Sequence, residues 1–316
     1  MLYGKYRFKC RLENDAVMPF YKGSTFRGMF GHALKRVVCA LKRQECSECV
    51  LRSRCIYTLT FETPLSIKMP EGSRISSPPH PFVIEPPLTE KTQFEKGSSI
   101  ECDLILFGET NNSIPYFVYA FDQMGKIGIG KRVNGHRGQF KLKEVMAGDR
   151  LLYSDKDQKL NQSDGVQNLS IPIPSANPEE NSKDVSQIRI TLETPLRLKF
   201  NNRLKAELPF HVLVRAMLRR ISSLFNVYGN GEPDLDYEGL TSRAENVRIV
   251  QNDLNWFDWR RYSNRQEKSM FMGGMTGTAV YEGELMEYLP LLDFCEKTHL
   301  GKGTSFGLGR ILYAYK

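Results

Sequence analysis

The sequence predicts an α+β fold built from two tandem units, each with the order β-α-β-β-α-β. Two observations lead to this prediction. The segment FETPLSIK at 61–68 returns as LETPLRLK at 192–199. Two glycine-rich segments, GIGKRVNGHRG at 128–138 and HLGKGTSFGLGR at 299–310, each follow an amphipathic helical pattern. A chain of 316 residues is long enough for two such domains.

The first unit is predicted from hydrophobic periodicity, in which alternation indicates strands and i, i+3, i+4 spacing indicates helices. An insertion at 66–99 interrupts the pattern. The predicted elements are, in order, a strand at 3–12, a helix at 24–42, a strand near 56–65, a strand at 100–107, a helix at 114–124 and a strand at 139–145.

The second unit shows the same order of patterns, and the order is the ferredoxin-like one that RNA-binding RRM domains also use. Neither unit carries the aromatic RNP1 motif, so base stacking on the sheet is not expected. The predicted domains are 1–153 and 188–316, joined by a polar linker or long loop at 154–187. The predicted elements of the second unit are strand 188–199, helix 209–227, strands 245–257 and 268–281, helix 285–295 and strand 310–315.

Composition and charge limit the classes of function. The net charge of +8 favours an anionic partner. No apolar run approaches the roughly 20 residues that span a bilayer, so no membrane partner is expected. The first ten residues, MLYGKYRFKC, alternate like a strand and do not resemble a signal peptide, which predicts a cytoplasmic protein.

The glycine-rich segment at 299–310 does not fit a nucleotide-binding loop. A P-loop has Ser or Thr after its lysine and then a helix, but Lys302 is followed by Gly303 and then by a stretch with the alternation of a strand. Two interpretations remain open. The segment is either a tight loop that needs positive φ angles or a set of backbone N–H groups that holds phosphate.

Five stretches, taken in this order, resemble the CRISPR-associated endoribonucleases that process precursor CRISPR RNA, in the repeat-associated mysterious protein superfamily. They are GSTFRGMFGHALK, PHPFVIEPP, IECDLILFGETNNSIPYFVYAF, WRRYSNRQEKSMFMGGMTGTAVYEG and HLGKGTSFGLGR. The resemblance implies tandem ferredoxin-like domains and cleavage of repeat RNA without a catalytic metal. It also implies CRISPR repeat RNA as partner, hand-over of the product to other CRISPR effector subunits, and no DNA substrate.

Metal-free RNA cleavage needs a base for the attacking 2′-OH and an acid for the leaving oxygen, and histidine suits both roles. His32 lies opposite the apolar stripe of the first helix, beside basic residues, so it has no predicted core role. The competing interpretation is a surface histidine without function. The predicted catalytic residues are His32, with Tyr21 and Lys35 as companions.

The RNA contacts are predicted from basic residues in the first helix, in both glycine-rich segments and in the hairpin WFDWRRYSNRQEKS at 256–269. The hairpin could equally be a solvated one with core tryptophans. His299 could meet RNA or point inward. The predicted RNA-binding residues are Arg27, Arg36, Lys131, Arg132, Arg137, Arg260, Arg261, Arg265, Lys268, His299, Gly301, Lys302, Gly303, Gly307, Gly309 and Arg310.

Four of the seven cysteines fall within 17 residues with the spacing C-x6-C-x2-C-x5-C. In a reducing compartment such a cluster favours a metal site over disulfides, and its C-x2-C pair suits one edge of a tetrahedral zinc site. A structural zinc ion is predicted, with an iron–sulfur cluster or free thiols as alternatives. The predicted ligands are Cys39, Cys46, Cys49 and Cys55, which would pin a small insertion to the end of the first helix.

The sequence thus predicts a metal-independent endoribonuclease that matures CRISPR RNA. The alternative is a non-catalytic RNA-binding subunit of a CRISPR effector complex, which would use the same glycine-rich segments to hold RNA. The two differ in whether His32 takes part in chemistry.

Overall fold

The computed structural model describes residues 1–42, 44–69, 71, 75–161, 165–172, 185–198, 206–263 and 268–315, with the backbone alone at 259–263 and 268–271. The chain forms two compact units. One comprises Met1–Leu169 with Asn226–Asn230, and the other comprises Ser170–Phe225 with Gly231–Lys316. No helix among the described residues is both long enough and apolar enough to cross a membrane.

The first unit is an α+β domain with helices packed on one antiparallel sheet. Its elements are β1 (Leu2–Leu12), β2 (Ala16–Val17), α1 (Gly23–Val38), α2 (Ile56–Phe61), α3 (Thr63–Ser66), β3 (Phe82–Glu85), β4 (Gln93–Phe94), β5 (Ser99–Phe107), α4 (Ile114–Ile127), β6 (Ile129–Val133), β7 (His136–Gly138), β8 (Phe140–Ala147), β9 (Arg150–Ser154) and β10 (Val166–Asn168).

The main sheet of this unit has the strand order β3-β5-β1-β8-β9, and its first four strands give the ferredoxin-like arrangement. The strand β1 is central, and its alternate residues Tyr6, Phe8 and Cys10 face the core. The helices α1 and α4 cover this face, where Phe30 and Phe121 lie with ring centroids 4.8 Å apart. Burial of these aromatic side chains supplies most of the stabilisation expected of such a core.

The second predicted strand of this unit, near 56–65, is wrong, because the segment forms α2 and α3. Its Thr-Leu-Thr-Phe alternation suggested a strand, but the threonine hydroxyls donate to carbonyls one helical turn back, as Thr60 Oγ1 does to Ile56 O at 2.6 Å. The second strand of the sheet is β3, a fully buried Phe-Val-Ile-Glu run inside the predicted insertion. The segment predicted as a linker contains β10, which pairs with the start of β1.

The second unit also has a ferredoxin-like sheet, with the order β12-β13-β11-β14. All pairs in it are antiparallel, and α5 and α7 contribute buried side chains such as Leu213, Met217 and Leu292. Its elements are β11 (Gln187–Leu196), α5 (Phe210–Tyr228), α6 (Tyr237–Arg243), β12 (Arg248–Ser263), β13 (Lys268–Glu282), α7 (Leu289–Thr298) and β14 (Ile311–Tyr315).

The short sequence repeat has no matching repeat in the structure. Residues 61–68 are helical, whereas most of 192–199 continues β11. In the second unit, Thr194 of this segment is buried and anchors the glycine-rich loop that follows α7, since its hydroxyl donates to Gly307 O at 2.8 Å. The two copies of Glu-Thr-Pro-Leu therefore have different structural roles.

Candidate functional site

His32 is exposed on α1, opposite the buried residues Phe26, Phe30 and Ala33. Two cations lie close enough to act on it: Arg36, one helical turn further along, and Arg137 from β7. Partial burial lowers the pKa of His32 below its ordinary value of 6.5, and the positive charges of the two arginines lower it further. The imidazole is therefore held in its neutral, proton-accepting form to a lower pH than a free histidine.

The hairpin β6–β7 carries the first glycine-rich segment and lies against α1. Its turn is Asn134-Gly135, with φ angles of 50° and 83°, a pair that favours a two-residue hairpin turn. Arg137 links the hairpin to the helix, because its Nη1 donates to Gly130 O at 3.0 Å and lies 3.8 Å from Met29 Sδ. The Asn-Gly dipeptide is thus a sequence signal for this hairpin, and it lies inside the first glycine-rich segment.

The structure thus brings His32 together with two predicted RNA-binding residues, Arg36 and Arg137, and the same hairpin carries the exposed Lys131 and Arg132. We call this group of side chains the basic face. Its members are exposed or half-exposed and lie on α1 and on the β6–β7 hairpin of the first unit. Exposed cationic side chains of this kind bind the phosphates of a nucleic-acid backbone. The residues of the basic face are His32, Arg36, Lys131, Arg132, His136 and Arg137.

Tyr21 is half-buried. It precedes α1 on the side of the buried Glu85, at the end of β3. Burial raises the pKa of the Tyr21 phenol far above its ordinary value, and the Glu85 carboxylate raises it further. A phenol with this environment stays protonated at neutral pH, so it cannot act as a general base.

Lys35 is held by the cysteine-containing segment that follows α1. Its ammonium group hydrogen-bonds with the Cys46 thiol and lies 5.3 Å from the centroid of the Tyr57 ring. Burial lowers the pKa of Lys35, but Cys46, Tyr57 and Cys39 together raise it above its ordinary value. Lys35 therefore has described partners other than His32, and its role as a catalytic companion stays a prediction.

Arg27 is half-buried and is part of a different cluster on the first unit. Its guanidinium lies 3.3 Å from His80 Nε2 and 5.2 Å from the centroid of the Phe61 ring. Because arginine only donates, Nε2 accepts and the neutral ring carries its proton on Nδ1, which lies 2.9 Å from Thr63 Oγ1. His80 thus lies between Thr63 and Arg27 and orients the guanidinium.

Backbone hydrogen bonds hold the glycine-rich loop of the second unit in place. The N–H groups of Leu300, Lys302 and Gly309 donate to Gly309 O, Arg197 O and Pro195 O at 2.8, 3.2 and 3.1 Å. Gly301, Gly303, Gly307 and Gly309 all have positive φ angles, between 71° and 81°. The interpretation as a tight loop that requires glycine therefore accounts for these residues, and several N–H groups of the predicted phosphate cradle are already bonded.

Three side chains of this loop have different surroundings. His299 is fully buried, and its Nδ1 lies 3.1 Å from Leu308 O, so the predicted RNA contact of this imidazole is wrong. Arg310 is half-buried and forms an ion pair with Glu193 at 2.8 Å, so this carboxylate competes with any phosphate. Lys302 is exposed and remains available to an anion.

The hairpin β12–β13 extends the sheet of the second unit, and its backbone pairing continues to Ser263 and Lys268. The predicted RNA-binding side chains of Arg260, Arg261 and Lys268 lie outside the described side chains. Arg265 lies outside the described residues. These four remain predictions.

The four clustered cysteines lie at and between the end of α1 and the start of α2, and each is half-buried with a free thiol. Cys39 follows the last residue of α1, and Cys55 precedes the first residue of α2. Among the described residues, no group of three or more His, Cys, Asp and Glu side chains is arranged as a metal site. The predicted zinc ion therefore stays a prediction.

Comparisons with known proteins agree with this architecture. The family model AF_1859_N, an N-terminal domain, matches residues 1–165, and the model of the CRISPR-associated endoribonuclease Cas6 matches residues 190–311. The chain belongs to the Cas6-type family of CRISPR-associated proteins. The resemblance stated from the five sequence stretches is thereby confirmed.

Individual relatives cover nearly all of this Cas6-type chain. An uncharacterized protein of Archaeoglobus fulgidus is 26% identical over 296 residues, which are 92% of this chain and 91% of the relative. Thermus thermophilus Cas6 is similar in structure with a TM-score of 0.55, at 12% identity, over 99% of this chain and 98% of that one.

A partial Cas6-RT-Cas1–Cas2 complex contains a chain that is similar with a TM-score of 0.57, at 12% identity, over 100% of this chain and 46% of that one. At this identity the two structures show the fold alone. They support the tandem ferredoxin-like arrangement that the sequence predicts.

Proposed function

We propose that this protein is an endoribonuclease that cleaves CRISPR repeat RNA. Membership of the Cas6-type family supports a role in processing such RNA. The observation that carries the proposal is the position of His32 beside Arg36 and Arg137 on the basic face, with a pKa below 6.5. A neutral histidine next to fixed positive charge is suited to RNA cleavage.

The proposed reaction uses the ribose 2′-OH as nucleophile. His32 accepts the proton of this hydroxyl, whose oxygen then attacks the adjacent phosphorus, and the 5′-oxygen of the next nucleotide leaves and takes a proton from water. Arg36 and Arg137 stabilise the negative charge that accumulates on the phosphoryl oxygens. The products are a 2′,3′-cyclic phosphate and a 5′-hydroxyl end, and no metal ion takes part in the chemistry.

The remaining predicted RNA contacts belong to the same proposal. Lys131, Arg132 and His136 extend the basic face along the RNA backbone, and Lys302 adds a cation on the second unit. The complex of the similar Cas6-RT-Cas1–Cas2 protein favours other CRISPR proteins as partners of this chain as well.

A second candidate function is a non-catalytic RNA-binding subunit of a CRISPR complex. It is favoured by the surroundings of Lys35, whose described contacts are with Cys46 and Tyr57. Under this alternative the basic face holds RNA and His32 adds only a weak, pH-dependent charge.

The deciding experiment is cleavage of a labelled CRISPR repeat stem-loop in magnesium-free buffer with EDTA, comparing the wild type with His32→Ala. We expect the wild type to give a 2′,3′-cyclic phosphate and the variant to lose at least about a hundredfold in rate, the usual scale for a general base. His136→Ala, which removes an exposed histidine that has no role in the proposed chemistry, is the control, and all rates are measured at saturating RNA so that weaker binding does not lower them. Circular dichroism verifies that each sample is folded.

Two outcomes separate the candidates further. An RNA with a single 2′-deoxy substitution on the 5′ side of the mapped cleavage position should remain uncut, since its nucleophile is absent. Cleavage that survives in His32→Ala would refute the assigned role of His32 and keep the nuclease. Tight RNA binding without cleavage by the wild type would favour the non-catalytic subunit.

A further inference from the structure

The segment 40–54, between α1 and α2, has almost no apolar core of its own. Each of its described residues is exposed apart from Cys46 and Cys49. Even its large apolar side chains face solvent, with Leu41 at 39%, Leu51 at 46% and Val50 at 80% exposure. In an ordinary folded loop the inward positions are taken by apolar side chains, whereas here they are taken by thiols.

The backbone of this segment is a succession of tight turns. The N–H groups of Glu48, Cys49 and Arg52 donate to the carbonyls three residues earlier, at 3.1, 3.4 and 3.1 Å. The turn from Cys46 to Cys49 is the one that a C-x2-C pair uses to present two sulfurs to the same ion. The segment therefore returns on itself around its cysteines instead of around a hydrophobic cluster.

The two flanking cysteines complete the set at the ends of two helices. Cys39 is the residue at which α1 ends, with its N–H donating to Lys35 O at 3.0 Å, and Cys55 is the residue before α2. Both are half-buried, like Cys46 and Cys49. By contrast, the other three cysteines, Cys10, Cys102 and Cys295, are buried in the domain cores, where they pack as small apolar side chains.

Lys35 places a positive charge beside the cysteine set. Its ammonium group hydrogen-bonds with Cys46 and lies near Cys39, so a cation faces two of the four thiols. Four thiolates around a Zn²⁺ ion carry a net charge of −2, and a lysine that donates to one of the sulfurs offsets part of it.

We propose that Cys39, Cys46, Cys49 and Cys55 bind one structural zinc ion that joins the end of α1 to the start of α2 through the segment 40–54. The chemistry of the donor set fits the ion, because four thiolates form the closed tetrahedral shell of structural zinc and leave no position for substrate. Zinc binding draws the four sulfurs together and orders the segment, while Lys35 stabilises the thiolates. The site lies at the opposite end of α1 from its start at Gly23 and has no part in RNA cleavage.

The first test measures zinc in the purified full-length protein, grown with added zinc, by elemental analysis and native mass spectrometry. We expect about one zinc per chain, since one tetrahedral shell takes four thiolates. Cys46→Ser and Cys49→Ser should each lose the ion, and Ser47→Ala, an exposed neighbour in the same turn, should keep it. If the serine variants fail to fold, the zinc content of the wild type still decides the proposal.

The second test follows the order of the segment by trypsin cleavage after the exposed Lys42, Arg52 and Arg54. Chelator-treated wild type should be cut there at least about tenfold faster than the same protein reloaded with zinc, because proteolysis reports the open population. A zinc-free wild type that takes up no zinc on titration would overturn the proposal. A decrease in mass that reports disulfide formation would also overturn the proposal. The presence of iron and sulfide together with visible absorption would overturn it as well.

Both readouts use protein without RNA. A failure of zinc binding is therefore distinguishable from a failure of the proposed nuclease activity.

Discussion

The two glycine-rich segments have similar composition but differ in structure. Residues 128–138 form a largely exposed hairpin whose Arg137 lies beside His32. Residues 299–310 form a loop in which Gly307, Leu308 and Gly309 are buried, and in which His299 and Arg310 bond to the protein itself. Glycine and basic residues together thus predict an unusual backbone, but they do not reveal whether it contacts solvent or its own domain.

The difference arises from how each segment satisfies its backbone groups. The first uses a two-residue turn, which leaves its outer side chains in solvent. The second follows a helix and must enter a buried strand, so its N–H groups bond to β11 and to the loop itself. Four sets of substitutions test this comparison, in order of decreasing effect.

The largest effect is expected for Gly309→Ala compared with Gly135→Ala. Both glycines have positive φ, at 71° and 83°, but a Cβ on Gly309 would overlap Leu300 O, whereas a Cβ on Gly135 meets open space. Left-handed strain plus overpacking should lower the free energy of unfolding by about 2–5 kcal/mol for Gly309→Ala, and strain alone by about 1 kcal/mol for Gly135→Ala. Urea denaturation measures both, and equal losses would contradict the comparison.

The next effect concerns the side chains that anchor each segment. Thr194→Val removes a buried hydroxyl that donates to Gly307 O and accepts from the Arg310 N–H, each at 2.8 Å. Asn14→Ala removes the side chain that bonds to Arg137 O and to the Gln139 N–H, in a half-exposed position. We expect a loss of about 1–3 kcal/mol for Thr194→Val and less for Asn14→Ala, because water replaces its bonds.

Thermal unfolding of the two anchor variants at matched concentration measures this difference. A larger destabilisation by Asn14→Ala would show that the hairpin depends on its anchor more than the internal loop does.

RNA binding should depend more on the hairpin than on the internal loop. The double variant Lys131→Gln/Arg132→Gln should weaken binding of a repeat RNA by roughly tenfold and reduce the salt dependence by about one phosphate contact per cation. Lys302→Gln should have a smaller effect, since its neighbours bond to the protein. Lys159→Gln, an exposed lysine elsewhere on the first unit, serves as the control.

Fluorescence anisotropy at several salt concentrations provides the measurement. A larger loss from Lys302→Gln than from the double variant would move the main RNA contact to the second unit.

The smallest effect is a shift in the pKa of His32. Arg36→Gln removes a positive charge that disfavours the imidazolium, so the pKa of His32 should rise toward 6.5. Since the folded pKa lies below the unfolded value, the unfolded state binds more protons in this window, and His32 destabilises the fold as the pH falls below about 6.5. NMR titration of the imidazole signals measures the shift, with Lys302→Gln as the control that should leave it unchanged.

The sequence predicts the second unit better than the first. Strand and helix patterns at 188–199, 209–227 and 310–315 correspond to β11, α5 and β14. In the first unit, the alternation at 56–65 indicated a strand, but packing of Phe61 against Phe30 and Phe82 stabilises helices there, and the Thr60 hydroxyl finds its acceptor within the helix. Short alternating runs that contain threonine do not distinguish the two structures, and tertiary contacts decide between them.

The candidate site, too, was predictable from the sequence only in part. The helical periodicity of α1 was sufficient to place His32 on the exposed face, because the position of a residue around a helix follows from its spacing alone. The approach of Arg137 was not predictable, since 105 residues separate it from His32 and only the packing of the β6–β7 hairpin on α1 brings it there.

By itself, the sequence determined the ferredoxin-like order of elements, the family and the clustering of cysteines, since each follows from spacing along the chain. The tertiary structure decided which polar groups are already satisfied. Lys35 bonds to Cys46, Arg310 to Glu193 and His299 to Leu308 O. A side chain is available to RNA only when it has no such partner within the protein. Packing of the fold decides which residues distant along the chain become partners.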